Sequence, residues 1–525
     1  MENAMEKEVV ERRFWLSGTA LVLYCAMIRV VLHLFTFARY GYFRDELYYI
    51  ACSKHLAWGY VDQPPLSIFL LRGVRMLLGD SLFAIRLLPL LAGVAVIFLA
   101  GSIARRLGGG RTAQGLAAFA ALTSPVIQGN AGRYFSMNAF DILFWALAAY
   151  ILVRIVREER PRLWLAFGVV AGLGLLNKYS MGFFLFGLAI GLLLTRQRRQ
   201  LRSRWPYLGG LLAFSIFLPH LLWEIANGFP SLEFIRNAAS LKNAPLTPIN
   251  FFLGQLMDAG IGNILSLLLG FVFLAAVKKG APFRLFAWTY AVIFAVMLMQ
   301  NGKPYYLSPF FSLLFAAGAV FIEHIAAKKR LTWITPALAT CILLGGIITT
   351  PISLPVLSAP GFIRYQESLG RKPQWSERSE IGVLPQQYAD EMGWEEMTAQ
   401  VAGLYRRLTP EEQKDCWIYM RNYGEAGAID FFGPKYGLPP ATCAHNSYWY
   451  WGFPDWNGSA AIIFGTSHDI EENFRDLRSH FEQVELGAVT RCDLAMPYEN
   501  NRPIFICRRA KFSLRDIWAS ERFFI

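Results

Sequence analysis

Eleven apolar windows follow one another through the first 350 residues, and clusters of charge fall between them rather than inside them. They lie at about 14–37, 82–104, 113–129, 138–154, 163–177, 180–195, 206–223, 256–277, 285–300, 305–325 and 332–350. A run of about twenty apolar residues crosses the hydrocarbon of a bilayer as a helix, which satisfies its own backbone there. The windows therefore predict an α-helical polytopic membrane protein with about eleven transmembrane helices. Several are short, 163–177 above all, and predict tilted or protein-buried helices. The 54% hydrophobic content and mean hydropathy of +0.34 agree, being too apolar for a soluble enzyme.

Orientation follows from the connecting loops. Arg105, Arg106 and Arg111 follow the second window; Arg154, Arg157, Arg160 and Arg162 the fourth; Arg196, Arg198, Arg199, Arg202 and Arg204 the sixth. Lys278, Lys279 and Arg284 follow the eighth, and Lys328, Lys329 and Arg330 the tenth. The only acids in these loops are Glu158 and Glu159, so every even-numbered exit is predicted to be cytoplasmic. The N-terminus is then cytoplasmic, while the loop after the first window, Glu224–Gln255, Asn301–Pro304 and everything after about 351 face outward. This distribution also accounts for the net charge of +13 without nucleic acid. Met1–Arg13 carries Glu2, Glu6, Glu8 and Glu11, and the run Phe14–Phe37 lacks a small-residue cleavage site, so it reads as a retained helix, not a signal peptide.

After 350 the composition changes: charges, Trp and Tyr rise and no membrane-length run remains. We expect a transmembrane domain over 1–350 and an extracytoplasmic α/β domain over 351–525, in a multi-pass protein of the inner (plasma) membrane. Cys416–Met420 and Ala460–Gly465 read as strands, and Tyr423–Tyr436 as a helix stopped by Gly437 and Pro439. Ile470–Phe481 has helical periodicity, and Val484–Thr490 with Pro503–Cys507 reads as a strand pair around a polar turn. An oxidising compartment would allow Cys492–Cys507 and Cys416–Cys443 disulfides. Neither a zinc-type cysteine spacing, HExxH, GxGxxG nor a Walker pattern occurs, so no metal or cofactor is expected. Tyr448, Trp449, Tyr450 and Trp451 form an aromatic run whose faces suit sugar rings or a membrane interface equally.

The loop Gly41–Leu71, GYFRDELYYIACSKHLAWGYVDQPPLSIFLL, puts Asp45, Glu46 and Asp62 among aromatics directly after the first window. Charges beside a bilayer are costly and usually mark function. Asp45 reads either as a catalytic base or as the N-cap of a short helix through Leu47–His55. Asp62, before Gln63-Pro64-Pro65-Leu66, sits in a turn able to aim its side chain back toward the loop, or in an ordinary turn. An acidic pair, small and aromatic residues and then Asp-Gln-Pro-Pro-Leu resembles the first extracytoplasmic loop of polyprenyl-phosphate-sugar-dependent membrane glycosyltransferases. The similar families are the bacterial protein O-mannosyltransferases and the lipid A aminoarabinose transferases. RYFSMNAFD supports the resemblance, NKY and GKPYYL more weakly, over roughly Phe14–Phe321.

That resemblance implies the C-type glycosyltransferase fold, a helical bundle with its active site at the outer leaflet, and Asp45, first of the acidic pair, as base with Glu46 beside it. Two departures stand out. The aminoarabinose branch usually has lysine before Pro-Pro-Leu and arginine three positions after the catalytic aspartate, where this chain has Gln63 and Tyr48. Replacement cations are sought at outward helix ends. Arg133 and Asp141 would share a face if the fourth helix begins early, binding phosphate or neutralising each other. Lys178, and Lys303 with Tyr305 and Tyr306 behind it, resemble basic positions of the family's donor site; snorkelling lysines are the duller reading. Arg29 and His33, at i and i+4, would meet a phosphate or a carboxylate, or reach the interface. His220 and Glu224 end the seventh window without forming a metal site.

The function implied is a hexosyl- or pentosyltransferase. Nucleotide sugars are cytosolic, so an outward-facing enzyme needs a donor already carried across on a lipid, which points independently to a polyprenyl-phosphate sugar. The acceptor would be lipid A, another glycolipid, a glycan or a protein, all within the lipid bilayer or at its surface. The rival class is a secondary transporter or lipid flippase, which would show mid-membrane charges in two related halves; no repeat is visible here.

Overall fold

A computed structural model of the chain describes residues 15–242, 246–371 and 380–525. The acidic stretch Met1–Arg13 and the expectations attached to it lie outside the described residues. The chain forms two compact units. One comprises Met1–Phe37, Ser81–Leu222 and Pro245–Val356; the other comprises Ala38–Asp80, Trp223–Ala244 and Leu357–Ile525. The acidic loop thus belongs to the same unit as the C-terminal residues, which a single boundary near 350 does not anticipate.

All eleven apolar windows are helical. Among the described residues, seven helices are long and apolar enough to cross a membrane: Gly18–Thr36, Leu82–Arg106, Met137–Glu158, Trp205–Ala226, Lys278–Met299, Pro304–Lys328 and Ile334–Ser353. Two more windows are bent pairs, so seven to nine of the eleven windows meet that length and composition on their own, and Leu163–Asn177 is a shorter apolar helix. Ser180–Leu194 turns by 105° into the basic segment Arg196–Arg202, and Pro248–Ala259 turns by 95° into Ile261–Ala276. The second bend falls at Gly260, whose φ of 96° is open to glycine and strained for other residues. The window 113–129 breaks where Ser124 turns extended and Pro125 starts a new helix, Pro125–Asn130. The window 163–177 is one 15-residue helix, Leu163–Asn177, as short as its sequence suggests.

Helix ends follow local chemistry. The Ser81 hydroxyl accepts from the Ala84 N–H at the start of Leu82–Arg106, and Arg105 and Arg106 lie at its C-terminus, where the helix dipole favours cations. Close approach is the other determinant. A Cβ added at Gly270 would lie 2.0 Å from the Leu314 carbonyl oxygen, and one at Gly318 2.0 Å from that of Ser266, so these glycines bring Ile264–Ala276 and Phe311–Lys328 into backbone contact. Gly318→Leu is therefore expected to destabilise the bundle by about 3 kcal/mol or more. Gly210→Leu, with nothing within 4 Å of its added Cβ, is the control and should shift a thermal melt in detergent by little.

The second unit holds a four-stranded sheet of order β1-β2-β4-β3, with β1 Cys416–Tyr419, β2 Ala460–Phe464, β3 Phe481–Val489 and β4 Pro503–Ala510. β1 and β2 are parallel, whereas β4 is antiparallel to both β2 and β3. Trp417, Ala461, Ile463, Phe505 and Cys507 bury one face with Leu477 and Phe481, while Ile418, Ile462, Ile504 and Ile506 are buried as well. The α/β reading of this region and its strand pair hold. The expected disulfides do not form: all seven cysteines are free. Cys507 lies within β4 opposite Val484, whereas Cys492 lies beyond the end of β3 against Gly393. Thr442 bridges to Tyr419, at the far end of β1 from Cys416, which leaves Cys443 about three strand residues, or roughly 10 Å, from its expected partner.

Candidate functional site

The acidic loop folds as a helix, Arg44–Lys54, whose first turn divides its two carboxylates between different tasks. Phe43 is the N-cap, and the Glu46 carboxylate reaches back to accept from the Phe43 N–H at 2.9 Å. Glu46 is fully buried, so capping falls to Glu46 and not to Asp45. Asp45 is half-buried, and its Oδ1 accepts from the Tyr423 hydroxyl at 3.0 Å. Its second oxygen carries no further hydrogen bond among the described residues.

Tyr423 opens the helix Tyr423–Phe432, YGEAGAIDFF, and small residues explain how it arrives there. An added Cβ at Gly424 would lie 2.6 Å from the Arg44 side chain, and one at Gly427 2.9 Å from the Leu47 backbone. Gly424 and Gly427, at i and i+3, are one face of the helix, which lies directly on Arg44–Lys54. The Tyr423 ring then packs on Tyr48 at 4.6 Å and beneath the Arg44 guanidinium at 4.6 Å. Tyr48 donates to Asp62 Oδ1 at 2.8 Å, so the turn before Pro64 does aim Asp62 back at the helix. Burial, with the neighbouring Asp45 and Asp62 carboxylates, holds the Tyr49 phenol well above its usual range. The result is two half-buried carboxylates interleaved with three buried tyrosines within one unit.

A second cluster lies in the helical unit. The helix Met137–Glu158 begins only after Ser136, so Arg133 precedes it and shares no helical face with Asp141, contrary to the sequence expectation. The partner of Asp141 is Lys178, whose Nζ stands 3.7 Å from Oδ2 and 2.6 Å from the Asn138 side-chain oxygen; Ser180 also donates to Asp141. The Lys178 ammonium faces the rings of Tyr305 and Tyr306 at 5.5 and 5.2 Å. The two tyrosines thus serve Lys178, while Lys303 is half-buried at the start of the 3-10 turn Pro304–Phe310. Arg133 is 2% exposed, its guanidinium 5.8 Å from the Tyr134 ring. Arg29 and His33 are buried and donate to the Gln128 and Gly132 carbonyls at 3.1 and 2.9 Å. Among the described residues, no group of three or more His, Cys, Asp or Glu gathers to hold a metal ion.

Beside Tyr423, Glu425 and Glu499 share Arg421. Burial works against the Glu425 charge, but the Arg421 guanidinium outweighs it and holds this carboxyl below the usual range. Burial and the Glu425 charge push Glu499 well above it, with Arg421, Asn422 and the charge of Arg44 around it. The Glu425 contribution is present above the ordinary glutamate range and lost as pH falls through its lowered value. The Glu499 contribution is present below that range and lost as pH rises through its raised value. Glu499→Gln, a mimic of the protonated acid, should match wild type at the ordinary glutamate range and become more stable than wild type as pH rises above it. The double variant Glu425→Gln/Glu499→Gln strands Arg421 and should cost about 3 kcal/mol, read by near-UV circular dichroism melts between pH 5 and pH 9.

Comparison with known proteins bears on both units. A family model for dolichyl-phosphate-mannose-protein mannosyltransferases matches residues 62–223, a stretch that starts at Asp62 and leaves Asp45 outside. The lipid A galacturonosyltransferase RgtD of Rhizobium johnstonii is 29% identical over 210 residues, 40% of this chain and 43% of its own length. The match therefore spans less than half of that curated relative. The structure of ArnT from Cupriavidus metallidurans bound to undecaprenyl phosphate superposes with a TM-score of 0.59 at 14% identity, covering 93% of this chain and 98% of ArnT. The Archaeoglobus fulgidus oligosaccharyltransferase tethered to an acceptor peptide follows at 0.50 and 12% identity, covering 81% of this chain and 63% of that one. At these identities the likeness is one of fold.

Proposed function

We propose that this chain, similar in part of its sequence and in its fold to membrane glycosyltransferases of the C-type fold, is itself such an enzyme and moves a sugar from a polyprenyl-phosphate donor to an extracytoplasmic acceptor. The observation that carries this reading is the Asp45 carboxylate, freed of capping by Glu46, oriented through one oxygen by Tyr423 and left with the other to take a proton. In this mechanism Asp45 receives the acceptor proton as the acceptor oxygen bonds to the anomeric carbon. The anomeric C–O bond breaks, its electron pair stays on the phosphate oxygen, and polyprenyl phosphate leaves; within the helical unit, Lys303, Arg133 and Lys178 are the cations proposed to bind a donor phosphate. Tyr48 fixes Asp62, which makes Asp62 a positioning residue for the loop, while Asp141 orients Lys178.

The basic loops support a cytoplasmic N-terminus and an extracytoplasmic 351–525. A reporter fused after Arg330 is expected to read cytoplasm and one after Pro360 the outside; the reverse pattern would expose the acidic loop to cytosolic nucleotide sugars and remove the reason for a lipid-borne donor. RgtD is named for lipid A, so a lipid A-type glycolipid is the first acceptor to test. Glycolipid mass spectrometry of membranes with and without this protein should find one species lighter by a single sugar residue in its absence. Identical glycolipid profiles would exclude this acceptor class.

A further inference from the structure

A cavity of about 330 Å³ lies in the second unit where the helix Arg44–Lys54 runs out, and its walls include His55, Gly59, Trp223, Asn227, Tyr450 and Trp451. Its shape is built by specific contacts. A Cβ at Gly59 would lie 2.2 Å from the Trp223 ring, so only glycine lets the indole close that side. Trp223 meets Tyr450 edge to face at 6.1 Å, and His55 stacks on Trp451 at 4.3 Å and 15°. Ser447 also lines the cavity. Its N–H donates to the Tyr48 hydroxyl at 3.2 Å, and Tyr48 in turn holds Asp62 and packs on Tyr423. The cavity and the Asp45 cluster therefore share one hydrogen-bonded wall within a single unit.

The chemistry of the lining selects a ligand. Flat aromatic faces accept the C–H faces of a sugar ring, while the amide of Asn227, the hydroxyl of Ser447 and the imidazole of His55 offer partners to its hydroxyls. None of the ten lining residues is Lys, Arg, Asp or Glu. A volume near the lower end of small-molecule sites, roughly 300–1,000 Å³, suits a ring rather than a long chain. Of the aromatic run, Tyr448 is committed to Asp430 at 2.7 Å and Trp449 to the Trp518 carbonyl at 2.9 Å, which leaves Tyr450 and Trp451 for the cavity.

We propose that this cavity binds an uncharged pyranose ring of the acceptor glycan, an inference that rests on the glycosyltransferase reading for its place in the reaction. Saturation-transfer NMR on the full-length protein in detergent, with methyl α-D-glucopyranoside as probe and glucuronate as its charged counterpart, tests binding directly. The neutral glycoside should receive saturation and glucuronate little. Trp451→Ala and Gly59→Ala should each weaken glycoside binding at least tenfold. Trp451→Phe, which keeps a ring on His55, should retain it, as should Gly73→Ala, whose added Cβ has nothing within 4 Å. No saturation of the glycoside in wild type, equal or stronger saturation of glucuronate, or binding untouched by both Trp451→Ala and Gly59→Ala overturns the proposal. The two readings fail separately. Glycoside binding at the cavity without sugar transfer counts against the glycosyltransferase, whereas transfer whose acceptor KM ignores the cavity variants counts against the subsite alone.

Discussion

Asp45→Asn is expected to lower sugar transfer by about 10²–10⁴-fold, the usual effect of removing a general base, while leaving the chain folded. Asparagine keeps the volume, and its side-chain oxygen still accepts from the Tyr423 hydroxyl that lies 3.0 Å from Asp45. The helix start is unaffected because Glu46, not Asp45, accepts from the Phe43 N–H. Glu46→Gln serves as the counterpart: an amide oxygen can take over that contact, so transfer should stay within about tenfold of wild type, as for a capping substitution that keeps an acceptor. Transfer rates of the two purified variants separate the roles. Equal losses in both would show that the loop tolerates no change of charge for structural reasons.

Lys303→Met should lower kcat/KM for the donor by about ten- to a hundred-fold, through both donor affinity and turnover, because a charge-assisted contact of about 1.5–3 kcal/mol to phosphate is lost in ground and transition states alike. Lys178→Met should behave differently. Its ammonium sits 3.7 Å from Asp141, which is 3% exposed, so the variant strands a buried carboxylate and should lose about 3 kcal/mol of stability together with activity. Adding Asp141→Asn restores the charge balance. A double variant that regains its melting temperature yet stays inactive assigns Lys178 to the donor; one that regains activity confines Lys178 to neutralising Asp141.

The helical architecture was legible because hydrophobic windows report on local physics. Leu163–Asn177 matches its window to the residue, and the strands around Ala460 and Pro503 fall where short apolar runs and turn residues put them. What escaped was mostly long-range. Tyr423 stands 378 residues from Asp45; its stretch reads as a helix, but the small-residue spacing of Gly424 and Gly427 does not say which element that helix lies on. Arg133 looked paired with Asp141 because helical spacing was carried past Ser136, whose capping hydroxyl marks where the helix begins. Gly260 was visible inside its window, yet hydropathy averaged over about twenty residues hid the bend. The cysteine pairing failed because a turn between two strands says nothing of which residues face each other across it. Cys507 faces Val484.

The most direct measurement offers purified wild-type protein a radiolabelled polyprenyl-phosphate sugar together with extracted glycolipid acceptor, and follows release of polyprenyl phosphate against gain of label in the acceptor. Stoichiometric transfer that depends on Asp45 is expected, with donor binding retained in Asp45→Asn. Binding without cleavage, with labelled donor only redistributed between leaflets, or near-native transfer by Asp45→Asn would contradict it.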